Sequence, residues 1–365
     1  MLPEIRCEEC GQRYPEDGMP YVCTACGGLY DIKEPIPLDL EKVERDQPGI
    51  WRYRQTFGSF GAIQPVSLGE GNTPIVWADV FGRRIAFKCE YLNPTGSFKD
   101  RGSSLIATWL KSRGVTRALE DSSGNAGASL AAYAARENIK LRVYAPSSAS
   151  GPKRRQIEVY GAELVAVTGS RNDTAEAVKQ AAKAGDVYAS HAYLPFNIPG
   201  YATAAYEIFE QLGNTMPGAV VVPAGQGGLL LGLDYGFTTL RIANYKLEKP
   251  KLIGGQALEC APLWKAFSGD QGTTATLPEN QTMAEGICVR HPVRLEKVVK
   301  AVIACGGGIC AVTENEILLG WKELARLGFY VEPTSAVIWS ALKQTIMDLP
   351  DPVVVILTGS GLKQG

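Results

Sequence analysis

The sequence has no apolar run of the roughly 18–20 residues needed to cross a bilayer. Its start, Met1-Leu2-Pro3-Glu4-Ile5-Arg6, also lacks the apolar stretch of a signal peptide. Membrane insertion and export are not expected, and the cytoplasm is the expected location. There is no excess of charge either: 37 basic residues face 38 acidic ones, for a formal net charge of −1. That balance argues against nucleic acid or a membrane surface as the main partner. Internal repeats, low-complexity tracts and the G-x-x-x-x-G-K-[ST] pattern of a nucleoside triphosphate site are missing as well.

What is present is a chain of 365 residues, 45% hydrophobic and 21% charged, enough for two globular lobes. Its nine cysteines are an odd number in a long chain, which speaks against a disulfide framework. Four of them form Cys7-x2-Cys10-x12-Cys23-x2-Cys26, the spacing of two knuckles around one tetrahedral metal. Zinc is the common occupant of such ribbons, although four thiolates also suit iron. With all four positions filled by protein, the metal has no open place for catalysis. Arg6 and Arg13 are outnumbered by Glu4, Glu8, Glu9 and Glu16, so the ribbon does not read as a DNA-binding module. Cys89, Cys260, Cys288, Cys305 and Cys310 read as small buried hydrophobes.

After about residue 80, short apolar strands alternate with amphipathic helices. Strands are expected at 84–90, 117–121, 141–145, 164–167, 219–223, 252–257 and 353–357. Helices are expected at 99–113, 125–137, 152–160 and 174–184, with another after the loop that follows residue 223. This rhythm predicts an α/β fold with parallel sheets flanked by helices. The expected division is a ribbon and linker at 1–45, a large domain from 46–104 and 191–365, and a smaller one at 105–190. Ligands of such sheets bind at the carboxyl ends of the strands, so the loops that follow them matter most.

Four such loops stand out. In Asn93–Gly102, Pro94 and Gly96 force a turn, Ser97 is the expected N-cap, and Lys99 stands at a helix mouth. A helix N-terminus and partial burial both favour the neutral amine that condensation with an aldehyde requires. The second loop, Asp121-Ser122-Ser123-Gly124-Asn125-Ala126, leaves a helix N-terminus open to an anion. In the third, Gly225-Gln226-Gly227-Gly228-Leu229, glycines let successive N–H groups converge on a phosphate. The fourth, Thr358-Gly359-Ser360-Gly361, closes the chain. Taken singly, each also fits a structural role: a surface lysine after a turn, a helix start packed on small residues, two glycine-rich turns. Gly306-Gly307-Gly308 is read as a turn.

The decamer Asn93-Pro94-Thr95-Gly96-Ser97-Phe98-Lys99-Asp100-Arg101-Gly102 resembles, without a gap, the lysine motif of threonine synthase-like enzymes in the fold-type II pyridoxal-phosphate family. The resemblance implies the two-domain architecture of that family and an N-terminal zinc-ribbon-like extension. It also implies that Lys99 is the catalytic lysine that carries pyridoxal 5'-phosphate and moves protons on the substrate. Asn125 would bond the cofactor's phenolic oxygen, and Gly225, Gln226, Gly227, Gly228 and Leu229 would cradle its phosphate. Thr358, with Ser360, would face the pyridine nitrogen. Ser122, Ser123, Gly124 and Ala126 would receive the carboxylate of a small amino-acid substrate, and Cys7, Cys10, Cys23 and Cys26 a structural zinc. Thr282–Ile287 resembles a segment lining the active site, and Glu332–Ala336 the start of a late helix near the cofactor. A homodimer is the partner state the resemblance implies.

The reaction implied is O-phosphohomoserine plus water to threonine plus phosphate. The chain departs from the threonine synthase pattern at Ala126, at Asn197 (where a basic residue is usual), at Gln226-Gly227 and at Ser360. The alternatives are a serine/threonine ammonia-lyase, a β-replacement enzyme on a phosphoserine- or acetylserine-like substrate, and a non-catalytic pyridoxal-phosphate carrier or sensor.

Overall fold

The computed structural model describes residues 4–147, 151–169, 171–244, 246–269 and 282–364. A hairpin comes first, β1 (Ile5–Cys7) against β2 (Tyr30–Ile32). There follow β3 (Ile75–Val80), β4 (Arg83–Lys88), α1 (Lys99–Ser112), β5 (Arg117–Glu120), α2 (Asn125–Arg136), β6 (Lys140–Pro146) and α3 (Pro152–Val159). The middle of the chain forms β7 (Glu163–Val167), α4 (Arg171–Lys183), β8 (Val187–Tyr188), α5 (Asn197–Gln211), β9 (Ala219–Pro223) and α6 (Gly228–Ala243). The last part holds β10 (Lys251–Ala257), α7 (Pro262–Ser268), α8 (Leu295–Ala304), β11 (Gly308–Val312), α9 (Glu314–Arg326), α10 (Pro333–Thr345) and β12 (Val353–Ile356). Among the described residues no helix is long and apolar enough to cross a membrane.

The chain forms two compact units, Met1–Gly71 with Lys99–Gly200, and Asn72–Phe98 with Tyr201–Gln364. The first unit holds a four-stranded parallel sheet in the order β7-β6-β5-β8. Residues 99–104 belong with it because α1 runs unbroken from Lys99. The ribbon belongs with it too. Tyr21 packs with Leu119, Tyr144, Val178 and Tyr188, and Arg113 donates to Pro15 O at 3.1 Å. Helix α2 is a run of small residues, so α1 can approach it closely; Ser129 Oγ donates to Asp100 Oδ1 at 2.5 Å and lies 2.7 Å from Ser103 Oγ.

The second unit holds a six-stranded sheet in the order β11-β10-β9-β12-β4-β3. All neighbours are parallel except the edge strand β3, which runs antiparallel to β4. Val220–Val222 and Val353–Val355 are fully buried in the central strands β9 and β12, where β-branched side chains pack well on the pleated sheet. Beneath β4 a buried ion pair has every group satisfied. Lys88 Nζ meets Glu207 Oε2 at 2.6 Å, Thr73 O at 2.6 Å and Gln211 Oε1 at 3.0 Å, and Glu207 Oε1 takes the Asn72 N–H at 2.7 Å. Breaking such a pair from one side leaves a charge stranded in the core.

Two local readings are corrected. Gly306, at φ +63°, makes the expected turn, but Gly308 already belongs to β11. Ser97 does not cap α1: it forms an isolated bridge with Gly359, and Phe98 is the residue before the helix.

Candidate active site

In the first unit, Lys99 is the opening residue of α1 and is half-buried. The turn behind it buries Asp100 and Arg101 completely. A buried carboxylate in a first helical turn is favoured by the positive end of the helix, and here Ser129 also bonds it. The lysine's backbone is thus held by the α1–α2 contact.

Strand β5 ends in the loop that leads to α2. The N-cap of α2 is Gly124, with no side-chain cap bond. Ser122, Ser123, Gly124 and Asn125 are half-buried, and Ala126 is buried. The loop folds tightly over the helix start: a Cβ on Gly127 would lie 1.8 Å from Ser122 O. Only glycine lets the loop and the open helix end approach this closely. Beside it, at the end of the paired strands β5 and β8, Glu120 Oε1 accepts the Asp121 N–H at 3.0 Å and meets His191 Nδ1 at 3.3 Å. Burial, with Asp121 and Glu120 beside it, holds the Tyr188 phenol far above its ordinary pKa. Asn197 is 1% exposed; its Nδ2 donates to His191 O at 2.5 Å, while its Oδ1 is buried with no partner among the described residues.

In the second unit, β9 runs into Ala224 and the glycine loop. Helix α6 starts at Gly228, and its N-cap, Gly227, sits at φ +80° without a side-chain cap. A Cβ on Gly227 would come within 2.3 Å of Val298 Cγ2, and one on Gly225 within 3.0 Å of Ile287 Cα. The loop is therefore a cradle of backbone with its first-turn N–H groups left uncapped, the arrangement that suits a phosphate. Gln226 Oε1 accepts the Val293 N–H at 3.0 Å, and Leu229 is buried behind.

The C-terminal loop is bound to the residues just before Lys99. Phe98 N–H donates to Thr358 O at 3.1 Å, Ser360 N–H to Gly96 O at 3.0 Å, and Lys363 Nζ to Thr95 O at 2.9 Å. Thr358 and Ser360 are both buried. Ser335, in the first turn of α10, organises this loop: its Oγ accepts the Thr358 and Gly359 N–H groups at 3.0 and 2.9 Å and lies 2.9 Å from Thr358 Oγ1. Glu332 N–H donates to Gly359 O at 3.0 Å. Of the Thr282–Ile287 stretch, Ile287 lies against Gly225, and Gly286 N–H donates to Thr334 Oγ1 at 3.0 Å.

Sequence reasoning missed Ser335 as the support of Thr358, and it missed the Glu120–His191 pair. The signals were there: Ser335 follows Glu332-Pro333-Thr334, a helix-start pattern, and His191 is one of only two histidines.

In the ribbon, the Sγ atoms of Cys7, Cys10, Cys23 and Cys26 all lie within 4.8 Å of one another, with 3.5 Å between Cys7 and Cys26 and 3.6 Å between Cys10 and Cys23. Four sulfurs about 2.3 Å from a tetrahedral zinc stand about 3.8 Å apart, so the set fits that ion.

The family described as pyridoxal-phosphate dependent enzymes matches residues 66–359. A threonine synthase of Methanocaldococcus jannaschii is 36% identical over 98% of this chain and 92% of its own. One of Methanosarcina acetivorans is 32% identical over the same shares. The crystal structure of a T.th. threonine deaminase superposes with a TM-score of 0.65 at 25% identity, covering 79% of this chain and 92% of that one.

Proposed function

Because the chain belongs to the threonine synthase-like group of the pyridoxal-phosphate-dependent enzymes and is a lyase of fold type II, we propose that it converts O-phosphohomoserine and water to threonine and phosphate. The observation that carries this reading is the likeness to threonine synthases along 98% of the chain. Bound pyridoxal phosphate supplies an electron sink next to the substrate's α-carbon. Lys99 holds the cofactor and, through Nζ, takes and returns protons on the substrate carbons. Gly225, Gln226, Gly227, Gly228 and Leu229 hold the cofactor's phosphate, with the uncapped N–H groups of α6 as donors. Asn125 bonds its phenolic oxygen. Thr358, held by Ser335, and Ser360 would offer hydroxyls rather than a carboxylate to the cofactor's pyridine nitrogen, partners that would favour its unprotonated form. The open end of α2, with Ser122, Ser123, Gly124 and Ala126, receives the substrate carboxylate.

Cys7, Cys10, Cys23 and Cys26 hold a structural zinc. Chelation is expected to loosen the ribbon, read as exposure of Tyr14 and Tyr21, without releasing the cofactor. The enzyme works as a homodimer in the cytoplasm.

A second reading has its own support. Asn197 stands where threonine synthases carry a base, and its amide is committed to His191 O. A site without that cation suits a serine/threonine ammonia-lyase, the chemistry in the name of the T.th. relative. A substrate panel separates the two. Phosphate and threonine formed from O-phosphohomoserine support the first reading; ammonia and a 2-oxo acid from threonine or serine replace it with the second. Binding of the cofactor with no turnover of any substrate leaves only a carrier or sensor.

A further inference from the structure

The residues between the two cysteine pairs, 11–22, carry the rings with which the ribbon packs on the rest of the first unit. Tyr21 meets Tyr188 and Tyr193 edge to face, with ring centroids 5.0 and 5.4 Å away. Tyr14 meets Phe196 in the same way at 5.1 Å and is backed by Tyr30 of the hairpin at 4.7 Å. Phe196 is buried, with Trp109 of α1 5.2 Å from it. Sulfur ties the two ends of this loop: Cys10 Sγ and Cys23 Sγ stand 3.6 Å apart. A hairpin with three-residue strands has too little core to hold such a loop unaided. A metal on the four thiolates would therefore fix where both tyrosines lie.

The receiving stretch, 189–196, is neither helix nor strand, so packing rather than a backbone ladder sets its shape. It carries His191, which meets Glu120 at 3.3 Å; Glu120 Oε1 also takes the N–H of Asp121, where the loop before α2 begins. Asn197 follows it, with its amide on His191 O. Three residues further on, Gly200 lies against the first turn of α1, since a Cβ there would come within 2.1 Å of Arg101 O. The residues that the ribbon's rings hold, Tyr193 and Phe196, stand between His191 and Asn197 in the chain.

We propose that Tyr14 and Tyr21 are positioning residues for the substrate: through Phe196 and Tyr193 they hold His191 and Asn197 beside the 121–126 loop, and metal on the four cysteines keeps them in place. They act through those residues and not by contact with the substrate. Metal loading then sets substrate affinity and leaves the cofactor attached. The effect on affinity rests on reading Ser122–Ala126 as the site of the substrate carboxylate; the ribbon's hold on 189–197 does not.

The test compares the full-length protein, carrying zinc and pyridoxal phosphate, with the same protein after chelation, by hydrogen exchange read on peptides. Chelation is expected to speed exchange at least about tenfold in the peptides of both 11–22 and 189–197, and to leave the glycine loop before α6 unchanged. Faster exchange confined to 11–22 overturns the coupling, as does a change spread over the whole chain; no change in either peptide overturns the metal's part. Tyr21→Ala, loaded with zinc, is then assayed with O-phosphohomoserine and with threonine. KM is expected to rise about tenfold with kcat within about twofold, and Tyr21→Phe, which keeps the ring, to restore the wild-type KM. An unchanged KM, or a fall in kcat alone, overturns the positioning role. A wild-type protein that turns over neither substrate contradicts the functional reading instead, and exchange at 189–197 still decides the coupling.

Discussion

The N-cap of helix α9 is Thr313, whose hydroxyl takes the Glu316 N–H while the Glu316 carboxylate takes the Thr313 N–H at 2.9 Å. The N-caps of helices α2 and α6 are Gly124 and Gly227, which have no side chain to cap with. A capped start satisfies its own orphan N–H groups and stabilises the fold. A glycine start leaves them for a ligand and gives up only roughly a few tenths of a kcal/mol of local stability to do so. The starts of α3, α7 and α8 also lack a side-chain cap bond, but those of α2 and α6 directly follow the ends of the parallel strands β5 and β9, in the two small-residue loops, where such sheets bind ligands. Helix α10 stands between the two kinds. Its N-cap Glu332 makes no side-chain cap bond, and Ser335 instead receives the N–H groups of the C-terminal loop.

Substitutions at these helix starts turn the comparison into measurements. The largest effect is expected from Gly127→Ala, whose Cβ meets the Ser122 carbonyl 1.8 Å away. Moving that loop off α2 should raise the substrate's KM at least about a hundredfold, about 2.7 kcal/mol. Cofactor attachment to Lys99 should survive, which steady-state kinetics and the cofactor's absorbance would check together. Next is Ser335→Ala, which strands the Thr358 and Gly359 N–H groups in a buried loop and should cost about 1–3 kcal/mol in urea unfolding. A smaller effect comes from comparing Gly227→Asp with Gly227→Asn. Both meet Val298, and both residues tolerate a left-handed backbone better than most. The aspartate alone adds charge where phosphate is to bind, so its affinity for pyridoxal phosphate should be about tenfold weaker than that of the asparagine variant. Equal affinities would break the comparison. The smallest effect is that of Thr313→Ala: about 1 kcal/mol of stability and no change in cofactor affinity or turnover.

Much of this arrangement was legible in the sequence. The valines of β9 mark a strand buried on both faces, and its observed limits, Ala219–Pro223, are the expected ones. The glycine loop and the loop before α2 each also fit a packing role when taken singly, and it was the decamer around Lys99 that gave both their reading. Contacts between residues distant in sequence were not legible. Ser97 reads as a cap by residue type, yet its place is fixed by a bridge to Gly359 at the far end of the chain. Strand β3 is an edge strand with Val76 and Trp77 exposed, so it lacks the buried run that betrays its neighbours. The ribbon's attachment depends on Tyr21 and Arg113 meeting partners that spacing along the chain does not reveal.

The uncapped helix starts matter only if Lys99 carries the cofactor, and that is open to direct measurement. The purified protein, loaded with pyridoxal phosphate, is reduced with borohydride, digested and mapped by mass spectrometry. The reduced cofactor is expected on Lys99, and none on any peptide of a Lys99→Ala variant. A label on another lysine, or a protein that binds the cofactor and yields no label, would contradict it.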